Sequence, residues 1–225
     1  MTDDAVTRGR FITFEGGEGA GKSVQTRMLA RQLEGLGLKV VLTREPGGSP
    51  IAETLRQIIL SGEAARLGAD GEALLFSAAR IDHIDTTIAP AIARGEWVVC
   101  DRFADSTRAY QGAAGRLDDA FIARLERVAV AATRPDLTLM LDVPPKLGLA
   151  RAAKRRGAQG ADRFEGEGLR FHRALRAAFL EIARQEPIRC AIIESKGTEA
   201  DVANAIWRVV SDRLGEYLPA KATAS

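Results

Sequence analysis

The segment Phe11-Ile-Thr-Phe-Glu-Gly-Gly-Glu-Gly-Ala-Gly-Lys-Ser23 constrains the fold more than any other part of the chain. A short apolar run breaks into a glycine-rich turn and ends on Lys-Ser. Gly16 and Gly21 bracket four residues, and Lys22 and Ser23 complete G-x-x-x-x-G-K-[ST], the P-loop spacing. Gly16, Gly17, Gly19 and Gly21 permit positive φ and close backbone approach. The loop's N–H groups, those of Glu18 and Ala20 included, can therefore turn inward around phosphate oxygens. A helix beginning near Gly21 adds the positive end of its dipole. Lys22 brings a point charge to the terminal phosphates, and the Ser23 hydroxyl can ligate Mg²⁺. An ordinary glycine turn is the plain alternative, and the strand-before, helix-after setting speaks against it.

Four more apolar runs, at 39–43, 97–100, 137–141 and 189–193, join 11–14 as expected buried parallel strands. Helical periodicity falls between them, over 23–36, 51–60, 72–93, 117–131 and 164–184. A last helix opens at Thr198, with Asp201 three residues on as a variant capping box. The alternation implies an α/β fold with a doubly wound parallel sheet and ligands at the carboxyl ends of the strands. The 225 residues, with neither repeat nor linker, read as one domain spanning 1–225. Residues 219–225 read as a disordered tail.

Composition narrows the function classes. At 46% hydrophobic and 28% charged, the chain has material for a full core. No apolar run approaches the roughly 20 residues of a membrane span, and the polar start at 1–10 resembles no targeting peptide. A net charge of +2 argues against nucleic-acid or membrane partners. Cys100 and Cys190 sit in separate apolar runs and read as buried, reduced thiols of a cytoplasmic protein.

Four segments add chemistry to the loop. Asp101 ends the strand at 97–100, where a carboxylate can hold Mg²⁺, and Arg102 beside it suits bidentate phosphate binding. The alternative is an Asp that caps the next helix and pairs with its own Arg. Arg44, in Thr43-Arg-Glu-Pro-Gly-Gly48, is a second strand-end arginine, although surface arginines beside turns are common. Phe76 and Arg80 lie four apart on one helical face, so a ring and a guanidinium can meet one planar ligand; plain core is the other reading for Phe76. Arg151, Lys154, Arg155, Arg156 and Arg163 cluster around glycines. Beside a P-loop, the stretch 151–168 reads as a mobile basic lid rather than a solvated face. His83 and His172 read as isolated and structural.

These residues resemble the thymidylate kinase family. Val99-Cys-Asp-Arg-Phe-Ala-Asp-Ser-Thr-Arg-Ala-Tyr-Gln111 is similar to that family's signature segment, and Thr43–Gly48, Phe76 with Arg80, and 134–142 match as well. The likeness runs from about residue 10 to 214. It implies a P-loop kinase fold, a five-stranded parallel sheet flanked by helices with a basic lid. The implied activity is transfer of the γ-phosphate of ATP to dTMP, giving dTDP for dTTP synthesis, with Mg²⁺. The implied partners are these two nucleotides and a second copy of the chain, joined through 72–93. By the same resemblance Phe76 stacks on thymine, Arg80 donates to a base carbonyl, and Thr107 sits at the base edge. Tyr110 lies under the sugar and disfavours a 2′-hydroxyl. Glu18 faces the 3′-hydroxyl or a metal-bound water, and Arg44 and Arg102 grip the acceptor phosphate. Gly19-Ala20 carries no arginine, which resembles the bacterial type whose catalytic arginine comes from the lid: Arg155, Arg156 or Arg163. A kinase of another nucleoside monophosphate or deoxynucleoside is the alternative, and a P-loop ATPase switch a further one.

Overall fold

The five apolar runs form the five strands of one parallel sheet in the computed structural model, which describes residues 8–114, 117–156, 164 and 166–219. The strands are β1 (Phe11–Glu15), β2 (Val40–Arg44), β3 (Trp97–Asp101), β4 (Leu137–Asp142) and β5 (Cys190–Glu194). Their order is β2-β3-β1-β4-β5. Register aligns the strand tips: Phe14 pairs with Asp101 and Leu139, and Arg44 with Asp101. The P-loop strand is thus central, and the carboxyl ends of β1, β2 and β3 open together.

Alternation along β1 serves two cores. Ile12 and Phe14 point to the face covered by α1 (Lys22–Gly35) and α9 (Glu199–Leu214), where they meet Leu33, Ile206 and Val210. Phe11 points the other way, into a cluster with Ile88, Ile92, Val98 and Phe103. Beside it Met140 packs on Leu175 and Phe179 of α8 (Leu169–Gln185). Full burial of each such side chain contributes roughly 1.5–3 kcal/mol. The Thr198–Asp201 capping box at the start of α9 is formed in both directions. Cys100 and Cys190 are both buried and free.

Between β2 and β3 run α2 (Pro50–Leu60), α3 (Gly68–His83) and α4 (Ala89–Ala93). The single helix expected over 72–93 therefore starts four residues earlier, and it widens into π turns over Ile84–Ile88. Pro90 explains the widening, because it has no N–H for the carbonyl four residues back and its ring crowds that carbonyl. After β3 come a short α5 (Ala104–Thr107), π turns over Arg108–Ala114, and α6 (Asp119–Val130), capped by Asp118. α8 begins five residues later than its apolar stripe suggested, leaving Phe164 in a turn outside the helix.

Residues 151–156, the first part of the expected lid, end a helix, α7 (Pro145–Arg156). Proline at the first helical position and the leucines and alanines after it favour a helix, and Gly157 follows its end. Residues 157–163 and 165 of the lid segment, and residues 220–225 of the tail, lie outside the described residues.

Candidate active site

A cleft of about 400 Å³ opens over the carboxyl ends of β1, β2 and β3. Glu18 through Ser23 form one wall, joined by Arg44, Phe76, Asp101, Arg102, Thr107, Tyr110 and Arg155. Residues from six separate stretches of sequence therefore meet at one site.

The loop itself is strongly shaped. Gly16, Gly19 and Gly21 all have positive φ. A Cβ on Gly19 would lie 1.9 Å from the Gly148 carbonyl oxygen, and one on Gly148 would lie 2.3 Å from that of Glu18. Loop and α7 cross at two glycines, backbone on backbone. Lys22 Nζ donates to the carbonyls of Gly16 and Gly17, both at 2.9 Å, so the ammonium lies across the loop where phosphate oxygens would sit. Burial and the nearby Arg102 lower the Lys22 pKa to about 8, against the opposing pull of Glu18 and Asp101.

Arg102 is the most heavily bonded side chain of the cleft wall facing the loop. Its φ of 72° is left-handed, which an arginine adopts only when its surroundings compel it. From that backbone its guanidinium donates to Gly16 O, Ser106 Oγ and, at 2.7 Å, Glu18 Oε1. The Tyr110 hydroxyl donates to the same Glu18 oxygen at 2.6 Å, and Arg102 lies 5.0 Å over the Tyr110 ring. Burial alone would raise the Glu18 carboxyl; Arg102, Lys22 and Tyr110 outweigh it and bring it to about 2. Burial lowers the Arg102 pKa, yet the surrounding Tyr110, Glu18 and Asp101 carry it above the ordinary arginine value. Glu18 and Arg102 are thus a permanently ionised pair on the cleft wall.

Ser23 Oγ lies 2.5 Å from Asp101 Oδ2. A hydroxyl and a carboxylate this close, beside a phosphate loop, fit Mg²⁺, which takes few protein oxygens and completes its shell with water and phosphate. Among the described residues no cluster of three or more His, Cys, Asp or Glu forms a dedicated metal cage.

Phe76 is only half-buried and faces the cleft, which decides against plain core. Phe164 stands 6.4 Å from it, edge-on to Tyr110 at 5.1 Å. Arg80 is buried behind this wall. Its Nε donates to Glu45 at 2.8 Å and its Nη2 to Phe103 O and Thr107 Oγ1, both at 3.1 Å. Arg44 is exposed and pairs with Glu53 at 2.9 Å. Arg155 lines the cleft from the end of α7, Arg156 is the last residue of that helix, and Arg163 lies outside the described residues.

On the loop's other shoulder, Ser195 Oγ donates to Ala20 O at 2.8 Å. Arg151 caps that turn, its Nη1 donating to Ser195 O and its Nη2 to Lys196 O.

The thymidylate kinase family pattern matches residues 14–206. Thymidylate kinase of Afipia carboxidovorans is 55% identical over 217 residues, covering 96% of this chain and 95% of that one. Thymidylate kinase of Rhodopseudomonas palustris strain TIE-1 is 56% identical over 218 residues, with 96% and 94% covered. The crystal structure of thymidylate kinase from Ehrlichia chaffeensis superposes with a TM-score of 0.73 at 31% identity, covering 90% of this chain and 99% of that one. The chain belongs to the thymidylate kinase family. Its sheet and P-loop are accordingly those of a P-loop kinase fold.

Several residues around this cleft escaped the sequence reading. Glu15, fully buried at the end of β1, accepts from Phe103 N, Ser106 N and Ser106 Oγ and so anchors the segment after Arg102. Burial and the neighbouring Asp105 raise its pKa to about 7. Glu45 receives Arg80, and Phe164 adds a ring beside Phe76. A buried acid directly before a P-loop was a visible signal for Glu15. His83, read as isolated, in fact bonds Glu45 and Thr43.

Proposed function

We propose that this chain transfers the γ-phosphate of ATP to dTMP, giving dTDP. Family membership supports the reaction, and the observation that carries its assignment to this site is the Glu18–Arg102–Tyr110 cluster. It presents a fixed cation and a fixed anion side by side, one for a phosphate and one for a sugar hydroxyl. Arg102 and Arg44 would hold the acceptor phosphate, with Arg44 released from Glu53 as an anion arrives. Glu18 and Tyr110 would bound the deoxyribose, the 3′-hydroxyl toward Glu18 and no room left for a 2′-hydroxyl. Phe76 would stack on thymine, while Thr107 and Arg80 would read its edge. Of the Arg80 nitrogens only Nη1 has no partner among the described residues, which suits a carbonyl oxygen.

The donor phosphates would replace the Gly16 and Gly17 carbonyls as partners of Lys22. Mg²⁺ held by Ser23 and Asp101 would neutralise phosphate charge and orient the phosphates. A dTMP phosphate oxygen is anionic near neutral pH, so in-line attack needs no general base. Positioning and charge neutralisation carry the rate. Arginines of the basic segment, Arg155 on the cleft wall among them, would supply the catalytic charge that Gly19-Ala20 lacks. We place the enzyme in the cytoplasm; among the described residues no helix is long and apolar enough to cross a membrane. Leu74 and Ile81 on α3 and Val128 on α6 are exposed apolar residues, and they support a homodimer through this face.

A coupled assay with ATP and Mg²⁺ across dTMP, dUMP, CMP and thymidine tests the assignment. dTMP should be the best acceptor, and preference for any of the others would overturn it.

A further inference from the structure

Arg80 lies just behind the cleft wall, against the cleft-lining Thr107, at the end of a buried chain of polar groups. Thr43 Oγ1 lies 2.7 Å from His83 Nε2, His83 Nδ1 lies 3.1 Å from Glu45 Oε1, and Glu45 Oε2 accepts from Arg80 Nε at 2.8 Å. His83 is wholly buried, and Arg80 and Glu45 are 3% and 6% exposed. Hydrogen-bond accounting assigns the protons. A carboxylate that receives Arg80 on Oε2 only accepts, so His83 donates Nδ1–H to Oε1, and the Thr43 hydroxyl, donor and acceptor in one, completes the bond at Nε2. The backbone is built around this contact. Gly48, at φ +86°, lies so close that a Cβ there would fall 2.4 Å from both His83 Nε2 and Thr43 Oγ1. Thr87 Oγ1 donates to Gly48 O at 2.9 Å and holds the turn in place.

We propose that His83 is a positioning residue for acceptor recognition, holding the Glu45 carboxylate so that Arg80 presents Nη1, which has no partner among the described residues, to the acceptor's base. The proposal rests on the reading of Arg80 as a base contact. Glu45 carries two jobs on two oxygens, and neither job tolerates rotation. Without a donor on Oε1, the carboxylate is half-satisfied in a buried site and turns to find one. Arg80 Nε would follow it, and the guanidinium plane with it. The chain also starts one residue from Arg44, so base and phosphate grips share a framework at the end of β2.

Two near-isosteric variants separate the two ring nitrogens. The amide nitrogen of His83→Asn overlays Nδ1 and keeps the donor to Glu45; that of His83→Gln overlays Nε2 and loses it. We expect His83→Gln to raise KM for dTMP at least about 10-fold, the scale of one misplaced charge-assisted hydrogen bond. KM for ATP should stay within about 2-fold, and His83→Asn should recover most of the loss. A merely structural histidine gives no such ordering of Asn over Gln, and no split between the substrates. Equal KM values for dTMP in both variants and the parent would overturn the proposal. Arg80→Lys, measured alongside, tells apart two failures. If it raises KM for dTMP while His83→Gln does not, Arg80 reads the base without help from His83. If neither does, the base contact itself is wrong and His83 has nothing to position. Should the His83 variants not fold, Thr43→Val removes the outer end of the chain at a half-buried site. A KM for dTMP raised about 3-fold or more is expected there, and an unchanged one counts against the chain.

Discussion

Arg102 holds a left-handed backbone that glycine adopts readily and arginine does not. The strain is sustained because its guanidinium meets Glu18, Gly16 and Ser106 at once. Arg102→Ala and Lys22→Ala should each reduce turnover at least ~100-fold, the scale of a lost electrostatic stabiliser; near-normal turnover would contradict the assigned role. A comparison of replacements isolates the backbone. Arg102→Gly and Arg102→Ala remove the same contacts, so thermal melts should show the glycine form more stable by about 1 kcal/mol. At this scale the sequence was legible where chemistry is local. Lys22 and Ser23 are announced by their own spacing, and Asp101-Arg102 by the strand before them. Glu45 and His83 were not legible, because 38 residues separate them and the bond exists only once α3 lies against the end of β2. Arg80 was visible, but its partners Glu45, Phe103 and Thr107 were not.

Elements meet at the P-loop through two different devices. Glu15 ties the end of β1 to α5, and it does so as a buried acid. Its folded pKa of about 7 exceeds the ordinary 4.5, so ionising it opposes folding. That penalty is absent below pH 4.5, grows between 4.5 and 7, and is full above 7, at about 3 kcal/mol. Glu15→Gln keeps an acceptor for both N–H groups and can donate to Ser106 Oγ. It should melt several degrees higher than the parent at pH 8, with the gap closing near pH 5; a constant gap would mean that Glu15 does not titrate there. The second device is the glycine crossing. In Gly148→Ala the new methyl meets the Glu18 carbonyl and pushes the loop, so kcat/KM for ATP should fall about 10-fold. Unchanged kinetics would show loop and helix to be separable. The strands were readable because full burial demands continuous apolar runs. α7 was not, because Gly148 and a basic end resemble a loop until Gly148 is seen pressed on Glu18.

At the scale of the whole molecule, the proposed homodimer would join through the face that carries the exposed Leu74, Ile81 and Val128. Leu74→Glu should yield a monomer by light scattering, since the charge would have to be desolvated in the joint; a mass that stays dimeric would place the contact elsewhere. The strand order β2-β3-β1-β4-β5 has a consequence for the direction of the chemistry. Every group assigned to the acceptor comes from the half of the sheet containing β2 and β3 or from the loop itself. Arg151 and the turn at 195–197 follow β4 and β5. A phosphoryl group handed from one nucleotide to the other would travel sideways, across the strands, with the central strand as the threshold. The bond from Ser195 Oγ to Ala20 O is where the β5 half meets the loop; Ser195→Ala should raise KM for ATP more than KM for dTMP, and equal changes would count against the division.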